Sequence, residues 1–334
     1  MDKPRKFSWT DYFSNEDNLS KIQTGTAFYN ETGYNNFYIF FCIFEGCKIK
    51  GAIYIERTNK ICTLLEDSVF NRCSSILDAG GGSVYYRCNN GQFVQQRTCY
   101  YKSVARSCMA FKQNVLFDKS FKNYAFDVSI SSCGESESKG DCTCFIMLGD
   151  IQISDFNSTS NKCIRESSFG SHIVGKSATY NFSTFRGNNQ TETNSLYFSI
   201  GSYSSETATV SYCNVIGNNC GTDYGSALFH CQGAFYVIHC IFLNNTASYT
   251  FYQDRDNSYR FYSLTISNSY VDEQSYIGRV EFKNITENYD FNNFTNFYTE
   301  NCFIEPKLIT IKISYLSKFA KAASTELISS KKIK

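Results

Sequence analysis

Two hexapeptides, Cys213-Asn-Val-Ile-Gly-Asn218 and Cys240-Ile-Phe-Leu-Asn-Asn245, decide the fold, because they share one pattern that recurs along the chain. Each begins with a small residue, carries a large hydrophobic residue two places later and ends on turn-forming residues. Clear copies are Cys42-Ile-Phe-Glu-Gly-Cys47, Ser68-Val-Phe-Asn-Arg-Cys73 and Ser183-Thr-Phe-Arg-Gly-Asn188. With weaker copies included, the hydrophobic landmarks of the series are Phe44, Phe70, Tyr101, Ile130, Phe156, Phe185, Val215, Phe242, Tyr270 and Phe303.

The spacing of these landmarks, 26 to 33 residues, separates the known repeat architectures. Propeller blades need about 40–50 residues, and helical repeats need about 33–47 residues with helical periodicity. Leucine-rich repeats have a similar period but require several leucines in each unit, which this chain lacks. The apolar runs, such as Ala52-Ile-Tyr-Ile-Glu56 and Ile309-Thr-Ile-Lys-Ile313, alternate and are rich in β-branched and aromatic residues, as strands are. We therefore predict an all-β fold, a single-stranded parallel β-helix of about nine or ten coils.

Stacked coils place equivalent residues in columns, because successive coils lie about 4.8 Å apart. The landmark position should form an interior column in which Phe44, Phe70, Phe185 and Phe242 share common surroundings. The residue two places earlier faces the same side of the strand and should form a second inward column of small residues. Its predicted members are Cys42, Ser68, Cys99, Val128, Ser154, Ser183, Cys213, Cys240, Asn268 and Asn301. The Gly and Asn residues after each landmark should supply turns with positive φ.

Two alternating elements give the chain its resemblance to a known family. A Phe-x-x-Asn element stands at Phe242-Leu-Asn-Asn245 and Phe185-Arg-Gly-Asn188, and a Gly-Gly-Ala-Ile-like element stands at Lys50-Gly-Ala-Ile-Tyr54, Gly81-Gly-Ser-Val-Tyr85 and Gly225-Ser-Ala-Leu-Phe229. Over residues 37–304 the chain resembles β-helices of the polymorphic-outer-membrane-protein type, above all the Cys-, Asn- and Tyr-rich surface proteins of parasitic protists. The resemblance implies a right-handed, pectin-lyase-like solenoid, a cell-surface or secreted location and a non-enzymatic, adhesive role.

The composition excludes several classes of protein. The 32 basic and 31 acidic residues leave a net charge of +1, which argues against a nucleic-acid partner. Aromatic residues make up 17% of the chain, which excludes intrinsic disorder. The chain has 2 prolines, Pro4 and Pro306, and the long stretch without proline suits continuous sheet, although an AT-rich genome would deplete proline as well.

The signals for location conflict with one another. The 16 cysteines suit a surface or secreted protein, as do eight Asn-x-Ser/Thr sequons. No signal peptide or membrane anchor is recognisable, since the longest apolar run, residues 37–44, is far shorter than the about eighteen residues that span a bilayer. A cytoplasmic location therefore stays open, and so does a truncated gene product. The sequons are at Asn18, Asn30, Asn157, Asn181, Asn189, Asn244, Asn284 and Asn293.

Cysteines and histidines raise the question of disulfides and metals. Cys213 and Cys240 share one position in adjacent coils, as do Cys47 and Cys73, and three interpretations stay open. Buried free thiols are favoured, because parallel Cβ vectors suit the disulfide dihedral poorly; disulfides and metal ligation are the other two. Three short segments contain His or Cys residues of the kinds that bind zinc. Their spacing matches no zinc signature, so we assign no metal. The three segments are His230-Cys231, His239-Cys240 and Cys142-Thr-Cys144.

Candidate catalytic groups are few. Asp254-Arg-Asp256 is the densest cluster of charge, but it lies in a polar stretch, residues 253–259, that reads as a solvated turn between coils. The glycines Gly80-Gly-Gly82 lack a following Lys-Ser/Thr and precede a strand, so they indicate a turn rather than a phosphate-binding loop. We assign no catalytic residue and no cofactor.

The two ends of the chain differ from its centre. We expect residues 1–36 to form an N-terminal cap or a disordered segment, residues 37–304 the β-helix, and residues 305–334 a C-terminal strand followed by a basic amphipathic capping helix. A membrane-surface role for that helix is less favoured than capping. The apolar face of the helix comprises Leu316, Phe319, Ala320, Ala323 and Leu327.

These observations lead to one expected function and two alternatives. We expect a monomeric, non-enzymatic structural or adhesive solenoid, without a transmembrane segment, that presents an extended face to a host or self surface protein or glycan. One alternative is a carbohydrate-active enzyme, a polysaccharide lyase or hydrolase, because the same fold supports such enzymes. The other alternative is a truncated paralogue without function.

Overall fold

The computed structural model describes residues 9–14, 19–29, 35–115, 120–134, 140–172, 178–200, 207–221, 226–254 and 262–292. Within them the chain forms a β-solenoid of stacked parallel strands, which confirms the predicted fold class. Each coil contributes short strands to three faces, here called the first, second and third ladders. The sense of winding and the number of complete coils stay predictions.

The first ladder has eleven strands in chain order, all paired in parallel with the strand of the next coil. Its strands are Leu19–Ile22, Asn36–Phe40, Cys62–Asn71, Gln92–Tyr101, Lys122–Ser131, Asp150–Thr159, Ala178–Asn181, Thr207–Ser211, Ala234–Ile238, Leu264–Ser267 and Val280–Lys283. The four ten-residue strands of this set continue past a corner into the third ladder.

The second ladder has ten strands, also parallel and in chain order. They are Phe28–Tyr29, Ile53–Arg57, Val84–Cys88, Cys108–Val115, Cys142–Met147, Phe169–His172, Asn194–Ser199, Ala227–Gln232, Tyr249–Gln253 and Tyr276–Ile277. The third ladder is completed by the separate strands Ile43–Glu45, Thr184–Arg186, Asn214–Ile216, Ile241–Leu243 and Tyr270–Val271. Two short pairs join Ser74–Ser75 to Val104–Ala105 and Lys162–Cys163 to Asn189–Gln190.

The predicted landmark column is present in the third ladder, with Phe44, Phe70, Phe185 and Phe242 in one register. The rings of Phe44 and Phe70 stack with centroids 4.9 Å apart, and Tyr100 continues the stack at 4.8 Å. Such repeated burial of rings gives the solenoid a continuous core. The column comprises Phe44, Phe70, Tyr100, Ile130, Ser158, Phe185, Val215, Phe242 and Val271.

Three predicted landmarks are wrong by one or two residues. The column holds Tyr100 in place of Tyr101, Ser158 in place of Phe156 and Val271 in place of Tyr270. At Ser158 the physical reason is that the ring of Phe156 fills the interior from the neighbouring column, which leaves the landmark position to a small residue. Phe303 lies outside the described residues.

The column of small residues is also present, and its chemistry explains its composition. The Ser183 hydroxyl donates to the carbonyl of Asn181 at 2.8 Å and accepts the amide N–H of Phe156 from the preceding coil at 3.3 Å. A short side chain with both donor and acceptor therefore satisfies main-chain groups that the bend leaves unpaired. The predicted members Cys99, Ser154 and Asn268 are wrong, and Asn301 lies outside the described residues. The column comprises Cys42, Ser68, Thr98, Val128, Phe156, Ser183, Cys213, Cys240 and Ser269.

The N-terminal residues belong partly to the solenoid. Leu19–Ile22 pairs in parallel with Asn36–Phe40, so the ladders begin before the boundary predicted at residue 37. The helix Trp9–Tyr12 packs Trp9 against Leu64 and Val94, because these apolar residues lie outside the main core and need a cover.

Among the described residues, none of the helices has the length and apolarity to cross a bilayer. The strand and helix predicted over 305–334 lie outside the described part of the chain.

Candidate functional site

A corner between the first and third ladders aligns one residue from each coil in the left-handed backbone region. None of these residues is glycine, although the left-handed region costs other residues roughly 1 kcal/mol. Stacking between coils therefore imposes the conformation, and we call this column the left-handed corner. It comprises Phe41, Asp67, Arg97, Asp127, Asp155, Phe182, Tyr212, His239, Asn268 and Asn284, with φ from 44° to 57°.

The turns predicted after each landmark form a second left-handed column. Glycine and asparagine occupy it at Gly46, Gly187, Gly217 and Asn244, as predicted. Other coils use charged or hydroxyl residues there, so the register, and not glycine alone, sets positive φ. Those residues are Arg72, Lys102, Ser132 and Ser160.

Charged side chains occupy four consecutive positions of the left-handed corner, at Asp67, Arg97, Asp127 and Asp155. The Arg97 guanidinium binds Asp67 through two contacts, Nε to Oδ1 at 2.7 Å and Nη2 to Oδ2 at 3.0 Å, and contacts Glu66 Oε1 at 3.2 Å. The Glu66 side chain is 2% exposed, and the Tyr38 hydroxyl donates to its Oε2 at 2.6 Å. Burial raises the pKa of Glu66, while Tyr38 and Arg97 oppose that shift. The network is a paired, largely buried charge cluster.

Two further carboxylates, Asp127 and Asp155, follow Arg97 in the left-handed corner. Burial raises the pKa of Asp127, the negative charge of Asp155 raises it further, and Arg97 opposes the shift. A carboxyl group with a raised pKa beside a second carboxylate is an arrangement used for general acid and base chemistry. Sequence analysis missed this pair, although a signal was present: each corner residue directly precedes a member of the small column, as in Asp127-Val128 and Asp155-Phe156.

Aromatic side chains occupy the next three positions of the left-handed corner. The rings of Phe182 and Tyr212 stack with centroids 5.3 Å apart, and Tyr212 and His239 stack at 4.9 Å. Phe182 and Tyr212 are each 40% exposed, and the nearby Tyr236 is 44% exposed. We call Phe182, Tyr212 and His239 the corner stack. It is a row of rings, open to solvent, that continues directly from the carboxylates of Asp127 and Asp155.

The second ladder carries another row of rings in one register. Tyr54 and Tyr85 stack at 4.9 Å, and the His230 ring lies edge-to-face between Tyr197 at 5.1 Å and Tyr252 at 4.6 Å. Most of these rings are half-buried, unlike the corner stack. The row comprises Tyr29, Tyr54, Tyr85, Lys112, Phe145, Gly170, Tyr197, His230, Tyr252 and Ile277.

Asp254, from the charged cluster considered in the sequence, contacts His230 of this row. Its Oδ2 lies 3.4 Å from His230 Nε2, and Asn194 Nδ2 lies 2.8 Å from His230 Nδ1. The contact with His230 lowers the pKa of Asp254. Asp254 directly follows the strand Tyr249–Gln253, outside the ladder, and its side chain is 36% exposed beside the imidazole. Arg255 and Asp256 lie outside the described residues.

The residues considered as zinc ligands do not come together. His230 belongs to the outer row, whereas the adjacent Cys231 is fully buried in the core. His239 belongs to the corner stack, and Cys240 is buried in the small column. Within the described ranges, no three or more His, Cys, Asp or Glu side chains converge to hold a metal ion.

The cysteines and sequons bear on the location of the protein. The fifteen described cysteines are free thiols, and all except Cys47 are buried. Asn157 is 1% exposed, so its sequon is closed to glycosylation in the folded protein. Asn244 and Asn284 are exposed on left-handed turns and are accessible to a glycan.

Comparisons with known proteins add no relative to this picture. The site therefore rests on the geometry of the stacked coils alone. No protein-family profile matches the chain, and no curated protein and no solved structure matches it either.

Proposed function

We propose that the protein is a non-enzymatic, adhesive β-solenoid that binds a surface protein or glycan at the corner stack. One observation carries this proposal: Phe182 and Tyr212 are bulky residues in left-handed positions, yet each stays 40% exposed. Asparagine, which other coils use at this corner, adopts the same backbone more easily. The turn alone does not call for these two rings, and exposed aromatic rows are typical of binding surfaces.

A binding experiment with paired variants tests the proposal. The purified chain, fluorescently labelled, is applied to a glycan array and to intact cells treated with protease or left untreated. We expect saturable binding that the double variant F182N/Y212N weakens at least tenfold, because asparagine keeps the turn but removes the rings. The matched control is F41N, which makes the same exchange at an exposed position of the same corner. Equal binding by wild type and F182N/Y212N would contradict the proposal.

A second candidate function is polysaccharide hydrolysis at Asp127 and Asp155. The observation that favours it is the raised pKa of Asp127 beside a second carboxylate, next to rings that could hold a sugar chain. Pectin-like polymers and host glycans are incubated with wild type, D127N, D155N and D254A, and reducing ends are measured. Turnover that D127N and D155N abolish would establish the enzyme, and turnover lost only in D254A would place it at His230.

We propose that the protein is located at the cell surface or outside the cell. We also propose that its solenoid is right-handed and pectin-lyase-like. Exposed sequons and many cysteines support the proposed location. Glycopeptide analysis of the protein from its natural source is the test, with occupancy expected at Asn244 and Asn284 and none at the buried Asn157.

A further inference from the structure

Two buried thiols of the second ladder are in contact between adjacent coils. Cys108 begins one strand, Cys142 begins the next, and the two are paired in parallel register. Their Sγ atoms lie 2.7 Å apart, less than 1 Å longer than a covalent S–S bond of about 2.05 Å. The two thiols are therefore already placed for a bond between coils.

An irregularity in the strand pairing distinguishes this pair from the other stacked cysteines. The register shifts between Cys108 and Phe111, which takes Cys108 out of a regular parallel stack. Regular stacking is the arrangement that fits the disulfide dihedral poorly. Cys213 and Cys240 stack without such a shift, and their thiols donate to the carbonyls of Ser211 at 3.3 Å and Ile238 at 3.4 Å.

We propose that Cys108 and Cys142 are a modification site at which a disulfide-bearing oxidant forms a covalent bond between two coils. One cysteine sulfur attacks the S–S bond of the oxidant and releases one oxidant thiol. The second cysteine sulfur then displaces the remaining half of the oxidant from the mixed disulfide. In total, two cysteine thiols are oxidised to one disulfide, and the oxidant is reduced to two thiols that take up the two protons.

Burial determines when this exchange takes place. Cys108 is 1% exposed and Cys142 is 4% exposed, and burial raises the pKa of the Cys142 thiol. Thiolate formation and oxidant access are therefore poor in the folded protein, so the bond forms while the coils are closing. Once formed, it is protected from reductants, and it closes a loop of 34 residues.

Peptide mapping of the wild-type chain tests the proposal. The full chain is refolded with a mixture of oxidised and reduced glutathione, unfolded with an excess of a thiol-alkylating reagent, and digested with trypsin without reduction. Residues 107–112 contain Cys108 as their only cysteine, whereas residues 140–162 contain Cys142 and Cys144. We expect these peptides to be covalently joined, with fragmentation assigning the bond to Cys142. Cys213 and Cys240 should be alkylated and serve as the matched control.

Thermal unfolding provides a second readout. We expect wild type to melt several degrees higher when oxidised than when treated with dithiothreitol, and C108S/C142S to melt at the same temperature in both buffers. The proposal is overturned if Cys108 of the oxidised protein is alkylated when the chain is unfolded with the reagent, or if it is joined to another cysteine. It is equally overturned if C108S/C142S keeps the redox-dependent shift, because another pair would then carry it.

Discussion

Asn188 and Asn218, one coil apart, form a direct amide-to-amide hydrogen bond in which Asn188 Nδ2 donates to Asn218 Oδ1 at 3.1 Å. Asn218 makes the same bond to Asn245 at 3.0 Å, and its Oδ1 also accepts the main-chain N–H of Asn188 at 3.0 Å. Its Nδ2 also donates to the carbonyl of Phe185 at 2.9 Å. These fully satisfied amides join consecutive coils in the interior, where an unpaired polar group would be costly.

Replacing Asn218 with alanine should destabilise the solenoid. The change leaves the buried main-chain N–H of Asn188 without its acceptor, and each unsatisfied polar group costs about 1–3 kcal/mol. We expect the free energy of unfolding to fall by about 3 kcal/mol, measured by urea unfolding followed by circular dichroism. The control is N59A at an exposed turn, which should change it by less than about 0.5 kcal/mol. Equal losses from the two variants would contradict the ladder's role.

Replacing Phe70 with alanine tests the aromatic column. Phe70 is fully buried and stacks on both Phe44 and Tyr100, so its removal opens a cavity that two coils share. We expect a loss of about 3–5 kcal/mol in the free energy of unfolding and a smaller loss for F70L. F41A removes the same side chain where it is 58% exposed and should have little effect in the same assay. A loss from F70A no larger than that from F41A would rule out a shared interior column.

How much of this arrangement the sequence predicts depends on the residue type at each position. The pattern at 44, 70, 185 and 242 is found because each coil there has phenylalanine. It fails at Ser158, because hydrophobicity alone selects Phe156, whose ring fills the same interior from two residues away.

The candidate site was harder to predict for a related reason. Corner residues such as Asp155 and Phe182 have side chains of different chemical types. They are aligned only by strand register, and the loops between those strands differ in length. Asp254 and His230 meet for the same reason, because strand pairing brings together residues that are far apart in the chain.

Removing Arg97 should lower the free energy of unfolding, because it leaves the buried carboxylate of Glu66 without its cationic partner. Without the guanidinium, the nearly inaccessible carboxylate keeps the Tyr38 hydroxyl as its one hydrogen-bond partner among the described residues. We expect R97A to lose about 3 kcal/mol of unfolding free energy at pH 7. R106A breaks an ion pair with Asp78 in which both side chains are mostly exposed, and it should lose less than about 1 kcal/mol. Similar losses from R97A and R106A would contradict the buried-network interpretation.

Glu166 should make stability depend on pH. Burial raises the pKa of Glu166 to about 7, from 4.5 for an unperturbed group. Between these two values the folded state retains a proton that the unfolded chain releases, so this stabilisation is complete below pH 4.5 and lost as the pH rises through 7. We expect the stability of wild type to fall by about 3 kcal/mol relative to E166Q between pH 4 and pH 8. Parallel pH profiles for the two proteins would refute the assignment.

Distances along the left-handed corner test the stacking of coils most directly. Spin labels on a keto-bearing non-natural residue, which leaves the native cysteines untouched, are placed in pairs at Phe41, Phe182 and Asn284, all accessible positions. Pulsed electron resonance should give about 24 Å for 41–182, about 19 Å for 182–284 and about 43 Å for 41–284, because coils rise about 4.8 Å each along one column. A 41–284 distance well below the sum of the two shorter distances would contradict the solenoid.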